Sequence, residues 1–314
     1  MKAKQAPGKS HRQGISLMQL NELFPDEDTA VKWFEAIYWP EKRCCGHCGS
    51  INTVKAKHRT MPYFCNDCRS YFSVRTGTTL QNSRLPLRKW AFAVYLYVTH
   101  LKGVSSMKLH RDLQVTQKTA WFMLHRLREA WNESGLGRVL GPAEVDETWV
   151  GGQRRTMHAT ERAKFKKWTR GSNMVPVVGM VDRKTGKVRA QPVDKVRSET
   201  LIKFIRKNSV PWATIYTDGA VVYSRINQPH EHVNHMAGEY VRGDVHTNSI
   251  ESFWSMLKRA HKGTYHKMSP KHLGRYINEF SGRHNVRDSD TEDQMQNVAA
   301  GMIGKRLLYR DLIA

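Results

Sequence analysis

Ala143-Glu144-Val145-Asp146-Glu147-Thr148-Trp149-Val150 reads as a β-strand that stops at Gly151-Gly152. Two more strands follow it, Asn173 to Asp182 and Lys187 to Val193, and Arg183-Lys184-Thr185-Gly186 between them has hairpin composition. Ser198 to Lys207 is expected as a helix with Ser198 as its N-cap. Ala213 to Gly219 is a fourth strand stopped by an Asp218-Gly219 turn, and His230 to Asn234 a short fifth.

Downstream, Ile250, Phe253, Trp254 and Leu257 recur at the i, i+3, i+4, i+7 spacing of a buried helical stripe between His246 and His261. Asn248, Glu251, Ser255 and Lys258 repeat that spacing on the adjacent face, so one helix presents an amide, a carboxylate and an ammonium together. The order β-β-β-α-β-α-β-α, with acids on the first strand and just after the fourth, is the plan of a ribonuclease-H-like α/β core. Phosphodiester displacement by a pair of divalent ions, roughly 3.5–4 Å apart, needs hard anionic oxygen ligands. Strand-borne and helix-borne Asp and Glu are such ligands. Spacing alone does not choose among Glu144, Asp146 and Glu147.

Working upstream, Leu87 to Leu101 is a broadly apolar helix. Ser105 to Leu113 and Gln117 to Trp131 then flank Gln114-Val115-Thr116, the dimensions of a helix-turn-helix with Thr116 as N-cap. Ala120, Leu124, Leu127 and Trp131 form the inward stripe of the second helix. Gln117, Lys118, Arg126 and Arg128 are then expected outside, in reach of bases or phosphates. Before this module lie Cys45-Gly-His-Cys48 and Cys65-Asn-Asp-Cys68, two CxxC knuckles separated by residues 49–64. That spacing suits a zinc ribbon in which four thiolates hold one structural Zn²⁺, with Cys44 spare and His47 solvated. Lys55, Lys57, Arg59 and Arg69 flank the knuckles and are placed to track phosphates. Ile15 to Tyr38 has helical apolar spacing behind a basic tail.

The expected organisation is therefore multidomain α+β. A tail and helix span 1–40, a zinc ribbon 41–76, a helix-turn-helix module 77–138 and an α/β catalytic domain 139–314. The 314 residues carry a formal net charge of +23, which points to a polyanionic partner. Nine Trp and 39% hydrophobic residues exclude a merely architectural basic protein. Met1 to Gly14 lacks an apolar signal segment and Ala91 to Val98 is too short to span a bilayer. A cytoplasmic, nucleoid-associated location is expected. The segment Gly151 to Gly171 carries Arg154, Arg155, Arg162, Lys164, Lys166, Lys167 and Arg170 against Glu161, and is expected to clamp DNA.

Val145-Asp146-Glu147-Thr148-Trp149-Val150-Gly151-Gly152, Tyr216-Thr217-Asp218-Gly219 and Thr247-Asn248-Ser249-Ile250-Glu251-Ser252-Phe253-Trp254-Ser255-Met256-Leu257-Lys258-Arg259 resemble bacterial insertion-sequence transposases of the Merlin superfamily. The cysteine knuckles, Arg75-Thr76-Gly77-Thr78, the helical module and the closing Tyr276 to Asn285 resemble that family too, so the likeness runs from about Phe24 to about Asn285. It implies DDE chemistry, with Asp146, Asp218 and Glu251 as ligands of two Mg²⁺ (or Mn²⁺) ions. It further implies Lys258 as a DNA contact and Asn248 as a neighbour of the acidic site. The expected function is to bind the terminal inverted repeats of an element, cleave at its ends and join the 3′ hydroxyl to target DNA, as at least a homodimer. The alternatives are a non-catalytic DNA-binding regulator and a nuclease without strand transfer.

Overall fold

The computed structural model describes residues 12–131, 137–151, 158–160 and 174–314. The chain divides into two compact units, Met1–Asn132 with Val286–Ala314, and Glu133–Asn285. Both mix helix and sheet.

In the first unit, Ser16 opens α1 (Leu17–Leu23) with a reciprocal capping box to Gln19, and Asp26 opens α2 (Glu27–Tyr38) by accepting from Thr29 N at 2.7 Å. A three-stranded antiparallel sheet follows, β1 (Thr53–Lys55), β2 (Tyr63–Cys65) and β3 (Ser70–Phe72). Then come α3 (Leu87–Thr99), α4 (Ser106–Leu113) and α5 (Gln117–Glu129). Gln114 takes the left-handed conformation (φ 50°) that ends α4, and the Thr116 hydroxyl accepts from Thr119 N at 3.2 Å to start α5. Leu20, Phe24, Phe34, Trp90, Val94 and Leu124 belong to one buried core.

Two sequence expectations fail here. Arg126 and Arg128 are not outside but buried on α5. Arg126 Nη2 donates to the Gln81 carbonyl at 3.1 Å, its guanidinium lies 4.3 Å from the Phe122 ring centre, and burial pulls its pKa down to about 10. Gln117 and Lys118 are exposed. The tail after Asn285, expected to belong to the α/β domain, joins this first unit instead. Met295, Val298 and Ala299 from one of its helices (Thr291–Ala300), with Met302 just after it, sit in the same core as α2 and α3.

The second unit is built on β4 (Ala143–Gly151), β5 (Met174–Asp182), β6 (Val188–Pro192), β7 (Ile215–Asp218) and β8 (His230–Val233), in the order β6-β5-β4-β7-β8. β5 runs antiparallel to β4 and β6, whereas β7 is parallel to β4 and to β8. The sheet is covered on both faces. Val145, Val178, Met180 and Ile215 pack on α6 (Ser198–Asn208) through Leu201, Phe204 and Ile205. Val177, Val181 and Val188, of the opposite parity on β5 and β6, pack on α7 (Asn248–Ala260) and α8 (Leu273–Asn285) through Ile250, Trp254 and Phe280.

Details depart from expectation at two places. Ser198 is the first residue of α6 rather than its cap, which is Arg197 without a side-chain bond. The helix expected between the fourth and fifth strands is only a 3₁₀ turn, Val221–Tyr223. The proposed clamp residues Arg154, Arg155, Arg162, Lys164, Lys166, Lys167 and Arg170 lie outside the described residues. No helix among the described residues is long and apolar enough to cross a membrane.

Candidate active site and cysteine cluster

The sulfur atoms of Cys45, Cys48, Cys65 and Cys68 all lie within 4.8 Å of one another. Cys45 to Cys68 is 3.6 Å and Cys48 to Cys65 is 3.7 Å. A tetrahedral zinc with sulfurs at about 2.3 Å sets sulfur–sulfur edges of about 3.8 Å, so the four thiols fit one structural zinc. The Cys68 backbone N–H, and against the cost of burial that of Asp67, draw the Cys65 thiol down to about 7, while burial and the neighbouring thiols push Cys48 up to about 12, so Cys65 is the first of the four to become a thiolate. Cys44, half-buried, stays outside the cluster. The first knuckle presses on the turn after β3: a Cβ on Gly46 would collide with the Thr76 carbonyl oxygen, and Gly77 (φ 73°) meets the Gly46 carbonyl in return.

The carboxylates of the second unit follow strand parity. On central strand β4, Glu144 and Asp146 point to the α7 face, while Val145 points to α6. Asp146 Oδ2 accepts from the Trp254 indole Nε1 at 3.0 Å. Gly179 lies opposite Asp146 on β5, and a Cβ there would come within 2.7 Å of the Trp254 ring and 2.9 Å of Ile250 Cδ1. The missing side chain is what lets α7 seat its indole against the strand.

Asp218 ends β7, the parallel neighbour of β4. Glu251 is exposed in the first turn of α7, where Thr247 Oγ1 donates to it at 2.9 Å and His235 Nε2 lies 4.0 Å away. Thr247 occupies the cap position but spends its hydroxyl on Glu251, so it caps nothing. The freed backbone donors go to Glu144 instead. Fully buried, Glu144 accepts from Ser249 N at 2.7 Å and Ile250 N at 3.0 Å, with Arg183 Nε at 3.4 Å and His246 Nδ1 at 3.3 Å from its other oxygen.

A cavity of about 460 Å³ has Asp146, Glu147, Glu251, Trp254, Lys258 and Lys262 in its wall. Asn248 is exposed at the first position of α7. Burial, then the charges of Glu147, Asp218 and Glu251, push Asp146 up to about 7. Glu147 is raised too, mainly by burial, although the Tyr223 hydroxyl donates to it. Four carboxylates therefore share one negative field, and their hard oxygens suit divalent cations.

Of the residues expected at the site, Asp146, Glu251 and Lys258 line one cavity, whereas Asp218 and Asn248 are not in its wall, and three partners were missed. Glu144 was left among undecided acids, Trp254 was counted only as core, and Gly179 drew no attention. The available signal was a pair of acids of equal parity on a central strand, where apolar residues are the norm.

The second unit thus carries clustered carboxylates and the first a tetra-cysteine cluster. Residues 138–285 match the family model of the ISXO2-like transposase domain, close to the bounds of the second unit. An uncharacterized protein in transposable element ISH50 of Halobacterium salinarum is 28% identical over 292 residues, covering 88% of this chain and 97% of that protein. The resemblance to insertion-sequence transposases is thereby upheld. A cryo-EM structure of the simian T-cell lymphotropic virus intasome with PP2A regulatory subunit B56 gamma aligns over 55% of this chain and 67% of its own at 15% identity. Its TM-score of 0.28 is too low to carry an argument.

Proposed function

We propose that this protein is a DDE transposase that binds the terminal inverted repeats of its element, cleaves DNA at their ends and joins the 3′ hydroxyl to target DNA. The reading is carried by one observation: Asp146 from a central strand and Glu251 from a helix pinned to that strand share a cavity inside the unit matched by a transposase family. On this reading the second unit is a ribonuclease-H-like core. Asp146, Asp218 and Glu251 would hold two Mg²⁺ (or Mn²⁺), and Cys45, Cys48, Cys65 and Cys68 one Zn²⁺. Such a divalent pair activates an attacking oxygen and stabilises a leaving one at phosphorus.

The chain's own residues do the positioning. Trp254 orients the Asp146 carboxylate, Thr247 that of Glu251, and Lys258, seven residues beyond Glu251 on α7, holds the DNA strand beside them. Asn248 orients Glu251 or a water from one turn away. The α4–α5 pair acts as a helix-turn-helix that presents Gln117 and Lys118 to DNA. Arg154, Arg155, Lys166, Lys167 and Arg170 clamp it, and synapsis of two ends calls for a homodimer or larger assembly.

Glu251→Gln should abolish cleavage and joining, at least a hundredfold, with end binding intact. Asn248→Ala should only slow both steps, and Lys258→Ala should weaken them through strand positioning. Strand-transfer assays with labelled ends and Mg²⁺ or Mn²⁺ decide. An active Glu251→Gln beside a dead Asn248→Ala would move the third ligand to the amide, and products cut but never joined would leave a nuclease.

A further inference from the structure

The three-stranded sheet that carries the second cysteine knuckle is covered on one face only. Tyr63, Cys65 and Phe72 turn inward, with Trp39 packed against them. On the opposite parity, Val54, Phe64 and Tyr71 stand in register across all three strands. Val54 is 46% and Tyr71 49% exposed, and Ile51 beside the first strand is 64% exposed. Phe64 and Tyr71 touch with ring centres 5.0 Å apart, and the exposed His58 ring lies 5.2 Å from Tyr71 at a shallow 35°. The row is thus an aromatic shelf of Phe64, Tyr71 and His58 with an aliphatic end.

The charge around it has one sign. Lys57 and Arg59 bracket His58, and Arg69 precedes β3; all three are exposed and make no ion pair among the described residues. The acids of residues 41–76 are Glu41 and Asp67, and Asp67 is taken up by the Ser50 hydroxyl and the Asn52 amide. A buried sheet face would be apolar without the cations, and a solvated one would not line up two aromatic rings and an imidazole.

We infer that this outer face binds single-stranded DNA, with bases stacked on Tyr71, Phe64 and His58 and phosphates held by Lys57, Arg59 and Arg69. Every base has a π-face, so such a shelf is tolerant of sequence. A duplex hides its base faces in its own stack and meets only the cations. The inference rests on the reading of DNA as the partner, but it is independent of the carboxylate site.

The test is binding of the full-length zinc-loaded chain to a fluorescent oligothymidylate and, separately, to a duplex of arbitrary sequence. Tyr71→Ala should weaken the single strand roughly tenfold while leaving duplex affinity and zinc content unchanged, and Tyr71→Trp should restore the single-strand affinity. Equal single-strand affinity for Tyr71→Ala and the parent would overturn the inference, as would an equal loss in Tyr71→Trp. So would a Tyr71→Ala protein whose only change is a weaker self-association in sedimentation, which would make the shelf a subunit contact. Because no cleavage is read, a chain that stacks oligothymidylate through Tyr71 yet never cuts DNA would sink the proposed catalysis and leave this inference standing.

Discussion

Each unit contains one helix that lacks a side-chain cap of its own and takes a glutamate from another element. In the first, α3 starts after Pro86, and Glu27 accepts from Leu87 N at 2.6 Å and Arg88 N at 2.9 Å. In the second, α7 starts after Thr247, and Glu144 accepts from Ser249 N and Ile250 N. The bonds are nearly the same and the settings are not. The Glu27 side chain is 41% exposed with Arg75 at 3.6 Å, whereas Glu144 has no exposure at all. Water can replace Glu27 at the end of α3. Among the described residues, Arg183, His246 and the first turn of α7 surround the Glu144 carboxylate in place of water. One device therefore sets where a packing helix begins, and the other fixes a helix bearing Glu251 to the strand bearing Asp146.

The sharpest way to break this comparison is Glu144→Ala. Removing one partner from a buried, paired site should cost the second unit about 3–5 kcal/mol and loosen α7. Urea denaturation, with hydrogen exchange followed over residues 248–260, reads both. A variant within 1 kcal/mol of the parent, with α7 still protected, would put Glu144 on a par with an ordinary surface cap.

Gly179→Ala attacks the same junction from the other strand. The added methyl meets the Trp254 ring, so a cost of about 1–3 kcal/mol is expected, together with a displaced indole seen as a shifted tryptophan emission. Unchanged emission and stability would mean that α7 is not seated by this contact.

A proton-linked effect should distinguish the carboxylate cavity from the cysteine-bearing unit. Asp146 is raised to about 7 from a usual value of 3.8. In the metal-free protein this group costs nothing below its unfolded pKa, and it erodes stability as pH climbs from about 4 to about 7. On the proposed reading, a divalent ion held by Asp146 displaces that proton, so Mg²⁺ affinity should rise about tenfold per pH unit below 7 and level off above it. Calorimetric titration in buffers of different ionisation enthalpy checks the proton count; an affinity flat from pH 5.5 to 7.5 would contradict it.

The smallest effect belongs to the first unit. Glu27→Ala should cost only about 1 kcal/mol, with fraying confined to the first turn of α3 in hydrogen exchange. A loss as large as that of Glu144→Ala would erase the distinction between the two caps.

Local windows carried much of this. The five strands of the second unit were legible because β-branched runs end in turn chemistry such as Lys184-Thr185-Gly186 and Asp218-Gly219. The cysteine cluster was legible because two CxxC knuckles constrain where four sulfurs can go. Arg126 and Arg128 misled because a helical stripe is counted in apolar residues, whereas a guanidinium such as that of Arg126 can be buried by a carbonyl from a distant segment and a ring one turn back on its own helix. Met295, Val298 and Ala299 lie at helical spacing, but such spacing states only that a helix will be buried, not against what.

By itself, then, the sequence determined most element types, the four cysteines that cluster, a cationic chain and a short list of acids. It resembled a transposase closely enough for the family comparison to agree. Only the tertiary structure decided which acids share a cavity, that Glu144 holds α7, that Gly179 makes room for Trp254, and that the last residues return to the first unit. The reason is physical. Glu144 and Ser249 are 105 residues apart, and their hydrogen bond exists only because β4 is central and α7 lies across its face. Periodicity is written within a few residues, whereas adjacency between distant segments is settled by which apolar faces bury one another.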